Sequence, residues 1–282
     1  MRVPARGSRA RRRDRRPAGG LKLKCAGGHL RKGECPFLGG AAMRMSPAAM
    51  GFVLLASAGC FAGAQKKDGH EIRGEAQTRE VPAFHAVSVE SGIHATIAIG
   101  AQRPLELRGD EKTLAMVETT VEDGELRIGF KRHSWTHWVS HEVHVSIQTP
   151  ELRAASASGG SDIRAEMTSA PETEIAASGG GEVHVRGIDT ESLRISGSGG
   201  AVIEVTGRAG QAEIEMSGGT EVKGAALSVR NVRIDGSGGS EAELRADGRI
   251  SGSLSGGSEL HIRGNARSRV ATSGGSSVDF DD

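Results

Sequence analysis

The stretch SLRISGSGGAVIEVTG (residues 192–207) sets two alternating runs around a glycine pair. In the first run Arg194 stands between Leu193 and Ile195, and in the second Glu204 stands between Ile203 and Val205. Alternation at period 2 reads as strand, because successive side chains leave a strand on opposite faces. The Ser-Gly-Gly between the runs recurs. Its serine falls at Ser158, Ser178, Ser198, Ser217, Ser237, Ser255 and Ser273, at intervals of 20, 20, 19, 20, 18 and 18 residues.

Fixed offsets from that serine carry apolar columns. Five residues on stand Ile163, Val183, Ile203, Val222, Ala242, Leu260 and Val278. Seven residues on stand Ala165, Val185, Val205, Gly224, Leu244, Ile262 and Phe280. Three residues before stand Ala155, Ile175, Ile195, Ile214, Ile234, Gly252 and Val270. Period 2 within a segment and a period near 20 between segments are both satisfied by a coil of short strands stacked at about 4.8 Å. The expected fold is all-β: a right-handed parallel β-helix, or β-solenoid, of about seven coils of 18–20 residues over 150–282.

The tripeptide then marks one corner repeated coil after coil. Glycine supplies positive φ there, and a serine hydroxyl can bond to nearby turn backbone. A thin core of stacked Ile, Val, Leu and Ala also accounts for a chain with two Trp, six Phe and no Tyr. A Gly/Ser linker would have no reason to keep the columns. A calcium-binding nonapeptide repeat needs a periodic Asp, and Asp162 fills such a place once. A phosphate-cradling glycine loop needs a following helix, whereas strands follow here.

Residues 81–149 are less regular and are expected to form a cap of mixed strands and one short helix over the first edge of the solenoid. Two alternating strands about a turn are expected within Val81–Val89 and Glu90–Ile99, and another at Leu105–Leu107. Asp110 is placed to cap a helix running to about Glu118, with Leu114 and Val117 facing inward. Asp123-Gly124 reads as a tight hairpin turn between Val121 and Leu126.

The opening Phe84-x-x-Val87-x-Val89-x-x-Gly92-Ile93, the Arg108-Gly109-Asp110-Glu111 run, the Asp123-Gly124-x-Leu126-x-Ile128 unit and the Ser-Gly-Gly coils together resemble the head-GIN-domain family of bacterial autotransporter adhesins. The likeness covers about residues 81–282. His94 stands where the family's Gly-Ile-Asn would carry Asn. The resemblance implies an exported, often lipid-anchored β-helical protein, and it supports fold more than function.

The net charge of +1 conceals a split. Residues 1–42 hold 12 Lys/Arg against Asp14 and Glu34, while the chain from Cys60 onward holds 33 acids and 23 bases. An acidic body repels phosphate backbones, so nucleic acid is excluded as its partner. Segment 1–42 reads as a disordered stretch or a start placed upstream of Met43 or Met45; the alternative is a basic arm that binds nucleic acid or anionic lipid. Its RRRDRR run (residues 11–16) lacks the apolar run that a twin-arginine signal requires close behind it.

Residues 43–59 have the shape of a secretory signal: Arg44, then a short apolar run from Ala48 to Ala58. Cys60 resembles the lipidated cysteine of bacterial lipoproteins, although Ser57 stands where that family usually has Leu. Cleavage after Ala58 or Ala64 is the rival. Residues 60–80 read as a flexible tether. Cys25, Cys35 and Cys60 build neither a disulfide framework nor a zinc spacing.

One segment is chemically unusual: KRHSWTHWVSHEVH (residues 131–144) holds His133, His137, His141, His144, Trp135 and Trp138. The histidines are candidate metal ligands, but no acid or Cys completes their set, so no metal and no cofactor is assigned. Trp135 and Trp138 are the candidate recognition residues, able to stack on a sugar or a partner surface. Glu182, Glu204, Glu221, Glu241 and Glu259 read as a stripe of solvated charge. No catalytic residue is assigned. The expected function is a non-catalytic envelope protein, lipid-anchored at the membrane and monomeric, that binds a protein or glycan. The alternative is a carbohydrate-processing β-helix enzyme such as a polysaccharide lyase or hydrolase, for which coils this short leave little loop to wall a cleft.

Overall fold

The computed structural model describes residues 75–131 and 142–281. Its elements in chain order are β1 (Glu75–Arg79), β2 (Ala86–Glu90), β3 (Ile93–Ile99), β4 (Leu105–Gly109), α1 (Glu111–Met116), β5 (Val117–Glu122), β6 (Glu125–Phe130), β7 (Val143–Thr149), β8 (Ala154–Ser158), β9 (Asp162–Glu166), β10 (Ala170–Ser178), β11 (Glu182–Ser198), β12 (Val202–Met216), β13 (Glu221–Gly236), β14 (Glu241–Leu254), β15 (Glu259–Arg263), β16 (Arg267–Thr272) and β17 (Ser277–Asp281). Among the described residues no helix is long and apolar enough to cross a membrane.

The chain is a parallel β-solenoid. On one face β8 pairs with β10, and the ladder continues through the C-terminal halves of β11, β12, β13 and β14 to β16. On the other face β9 pairs with the N-terminal half of β11, followed by β12, β13, β14, β15 and β17. The apolar columns are register partners in space. Val183 lies beside Ile163 and Ile203, Ile203 beside Val222, Val222 beside Ala242, and Ala242 beside Leu260. Ile175, Ile195, Ile214 and Ile234 form a second ladder, and all four are fully buried. Each such side chain contributes about 1.5–3 kcal/mol by leaving water.

About six regular turns are formed rather than seven coils. The physical reason is geometric: seven corners, from Ser158 to Ser273, enclose six complete intervals. The strands beyond the outer two corners belong to the cap and to a terminal half-turn.

At each corner the first glycine has positive φ, from 62° at Gly179 to 86° at Gly256, and it lies directly on the first glycine of the adjacent coil. A Cβ on Gly238 would meet the Gly218 carbonyl oxygen at 2.7 Å. Glycine is therefore required twice over, by its dihedral angle and by the close approach of two backbones. The serine of the tripeptide contributes chiefly its carbonyl, which differs from the expected role of its hydroxyl. The hydroxyls of Ser161, Thr220, Ser258 and Ser276, three residues on, donate to the carbonyls of Ser158, Ser217, Ser255 and Ser273 at 2.9, 2.8, 2.9 and 3.0 Å. These inward hydroxyls satisfy carbonyls that leave the strand ladder at the bend.

The opposite side of the coil turns without a loop. β11, β12 and β13 bend through it as single strands, with register shifts after Val185, Glu204 and Gly224. Bulges of this kind turn a strand without ending it.

The cap is threaded out of order. β2 and β3 lie between the β6–β7 layer and the β8–β9 layer, so the chain builds the second layer of the stack before the first. Antiparallel strands then close that end: β5 on β6, β4 on β7 and β1 on β4. The expected hairpin forms at Asp123 (φ 52°) and Gly124 (φ 79°). Asp110 caps α1 by accepting from Thr113 N at 3.3 Å, and Leu114 and Val117 are buried. The helix stops at Met116 rather than near Glu118, because the β-branched run Val117, Thr119, Thr120 and Val121 enters β5. Residues 75–79, within the segment expected as a tether, form β1. Arg79 holds that strand by donating to the carbonyls of Leu114 and Val117, both at 2.9 Å.

Candidate functional site

On the outer surface of the second face, coil stacking gathers residues that are far apart in sequence. Residues four and six positions after the corner serine point outward on each strand, opposite the apolar column at five. They build two adjacent ladders. One runs His144, His94, Asp162, Glu182. The other runs Thr96, Arg164, His184, Glu204, Lys223. Glu204 therefore lies in a different row from Glu182, Glu221, Glu241 and Glu259. The expected single acidic stripe is two rows, with Lys223 bridging to Glu221 at 3.1 Å and Arg263 to Glu243 at 2.6 Å.

The centre of this surface is Asp162, His184 and Glu182. His184 Nδ1 stands 3.0 Å from Glu204 Oε2. Its Nε2 stands 3.7 Å from Glu182 Oε2 and 4.0 Å from Asp162 Oδ2. One candidate ligand atom from each of Asp162, Glu182 and His184 lies within 4.8 Å of the other two. Asp162 is an outward residue of β9, yet its side chain is only 10% exposed. Arg164 Nη2 holds Oδ2 at 3.1 Å, while Oδ1 is buried with no hydrogen-bond partner.

Beside Asp162, on β3, His94 stacks on His144 with ring centroids 5.1 Å apart and planes 19° from parallel. His144 Nε2 is buried without a hydrogen-bond partner, with Glu142 Oε2 at 3.7 Å. Burial, and after it the proximity of His94, hold the His144 imidazole below its ordinary pKa.

Cys60, His133, His137, His141, Trp135 and Trp138 lie outside the described residues. His144 opens onto a partner that sequence reading did not select, His94. Asp162, Glu182, His184 and Glu204 were likewise not seen as a group. Their signal was present as a constant offset from the corner serine, but only stacking converts a separation of 20 residues into one strand spacing.

Two parallel faces, stacked glycine corners and an antiparallel cap define the solenoid class of repeat protein. Residues 83–266 match the family model described as "Putative auto-transporter adhesin, head GIN domain", and the chain belongs to that family. Similar solved structures include a "putative adhesin" from Bacteroides fragilis NCTC 9343, with 16% identity and a TM-score of 0.66, covering 75% of this chain and 98% of that one. Another is a "putative adhesin" from Parabacteroides merdae ATCC 43184, with 17% identity and a TM-score of 0.58, covering 74% and 96%. A third, from Parabacteroides distasonis ATCC 8503, is described as a "Putative lipid binding protein", with 18% identity and a TM-score of 0.54, covering 74% and 98%. At these identities the likeness concerns the fold. No curated protein sequence matches the chain.

Proposed function

We propose that the protein is a non-catalytic component of the cell envelope whose solenoid presents a rigid surface to a protein or glycan. The observation that carries this reading is the shape of the coils. Ser-Gly-Gly corners and bulged bends join the strands of the regular coils, so both faces are continuous ladders of outward side chains without long loops to wall a cleft. Such a surface suits an extended partner read by repeated contacts, whereas catalysis needs groups converging on one enclosed point. Membership of the adhesin family supports the same reading and supports export.

Two finer elements belong to the proposal. Cys60 carries the lipid that holds the protein to the membrane, and Cys60→Ala moves the protein from the membrane to the soluble fraction. Trp135 and Trp138 supply the aromatic anchors for recognition, because the chain has few other large aromatics to offer.

The deciding experiment screens the exported protein against a glycan array and, with the same ligands, for released sugar ends. Binding without turnover is the expected result. Release of new reducing or unsaturated ends overturns the reading in favour of a carbohydrate-processing enzyme. A folded variant carrying Trp135→Ala and Trp138→Ala that keeps full binding removes the two tryptophans from it.

A further inference from the structure

We propose that Asp162, Glu182 and His184 form a binding site for one divalent transition-metal ion, with zinc the best match, and that Glu204 positions His184 for it. This site lies on the surface of β9, β11 and β12 and does not depend on the adhesive function proposed above.

The first support is the tautomer of His184. Glu204 accepts only, so at 3.0 Å the shared proton lies on Nδ1. In the neutral imidazole Nε2 then keeps its lone pair for a metal ion, on the side where Glu182 Oε2 and Asp162 Oδ2 stand at 3.7 and 4.0 Å. A carboxylate behind an imidazole that orients its second nitrogen is the usual supporting arrangement of a metal-bound histidine.

The second support is independent of that arrangement. Asp162 Oδ1 is a buried carboxylate oxygen with no donor, on a side chain only 10% exposed. Arg164 pairs with Oδ2, and Oδ1 is left without a hydrogen-bond partner. A buried carboxylate oxygen without a donor is costly, and a metal ion at this carboxylate offsets that cost. Two carboxylates and an imidazole within 4.8 Å of one another offer such an ion three ligands.

The donor set selects the ion. One nitrogen and two carboxylate oxygens suit zinc or a neighbouring first-row ion, whereas calcium and magnesium call for oxygen alone. Ligands at about 2.0–2.1 Å from a tetrahedral ion stand roughly 3.4 Å apart. To reach that spacing the 3.7 and 4.0 Å separations from His184 contract, and so does the separation of the Asp162 and Glu182 carboxylates, which is no more than 4.8 Å. Such a shift is within reach of side-chain rotation, since Glu182 is half exposed and both strands are fixed by the ladder. Three protein ligands leave a fourth position for water or for a group from a partner.

The test is calorimetric titration of the chelator-stripped, full-length protein with zinc chloride, beside calcium and magnesium chloride. The His133, His137 and His141 segment is a competing source of binding, so the reference protein carries His133→Asn, His137→Asn and His141→Asn. That protein is expected to bind one zinc per chain and to ignore calcium and magnesium. Asp162→Asn with His184→Gln abolishes the binding, and Glu204→Gln weakens it by about tenfold. Thermal melting supplies a readout for folding. Zinc raises the melting temperature of the reference protein and leaves that of Asp162→Asn unchanged. Zinc binding that survives Asp162→Asn with His184→Gln, or no binding by the reference protein, overturns the proposal.

Discussion

Gly252 lies over Ile234 with φ at 140°, so close that a Cβ on Gly252 would run into the Ile234 carbonyl oxygen. The position belongs to a column otherwise filled by Ala, Ile and Val, and a side chain there looks as though it would complete the core. The backbone says otherwise, because the strand approaches its neighbour where only a hydrogen fits. Gly252→Ala is expected to destabilise the protein by about 3 kcal/mol or more, from positive-φ strain together with the displaced ladder. Urea unfolding measures it, and a variant as stable as its parent would show the close approach to be dispensable.

The corner hydroxyls are the next test. Thr220 Oγ1 donates to the Ser217 carbonyl at 2.8 Å, and Ser258 Oγ to that of Ser255 at 2.9 Å, with both residues buried. Thr220→Val keeps the shape and removes the donor. It should cost about 1 kcal/mol, and Ser258→Ala somewhat more, because Ser240 Oγ at 3.1 Å loses a partner as well. Removing the exposed Ser237 hydroxyl by Ser237→Ala should cost less than either. Equal losses at Ser237 and Ser258 would contradict the assignment of the closing bond to the inward residue.

Acidification should weaken the fold through His144. Its imidazole is held below the ordinary value by burial and by His94, so the unfolded chain binds the proton more readily than the folded one. Stability from this source is complete above the unfolded pKa near 6.5 and declines as the pH falls through it toward the lower folded value. In chelator, the urea midpoint should fall between pH 7.5 and pH 5 by less in His144→Gln than in the parent. An identical fall in both proteins would remove His144 as the cause.

Among the described residues the outer edge of β17 has no partner strand. β17 pairs only with β15 there, and Phe280, in register with Ile262, is 52% exposed. Asp279 and Asp281 stand on the same strand, with Asp282 beyond it. Charges on an open edge oppose strand addition. Replacing all three with Asn should promote association, most clearly at low salt, where repulsion is least screened. Sedimentation velocity distinguishes the outcomes, and a parent already dimeric through this edge would count against the charge argument.

The repeat was legible because it is written in the two periods that strands and stacking impose. Ile163, Val183, Ile203 and Val222 sit at one offset from the corner serine, and that offset alone placed them in a common ladder. The Asp123-Gly124 hairpin and the Asp110 cap were legible for the same kind of reason, since each depends on residues within a few positions of one another. The insertion of β2 and β3 between later layers was not, because strand order depends on which edges find partners after the chain has collapsed.

The outward cluster divides in the same way. That Asp162, Glu182, His184 and Glu204 are polar and face away from the core follows from alternation alone. That Asp162 is nevertheless buried, with one oxygen unpaired, follows only from which long side chains stand on the strands beside it. The amino-acid order set what each position offers, because backbone geometry converts spacing into facing. The tertiary structure decided which positions meet, because contacts between coils depend on register across strands that no local interaction specifies.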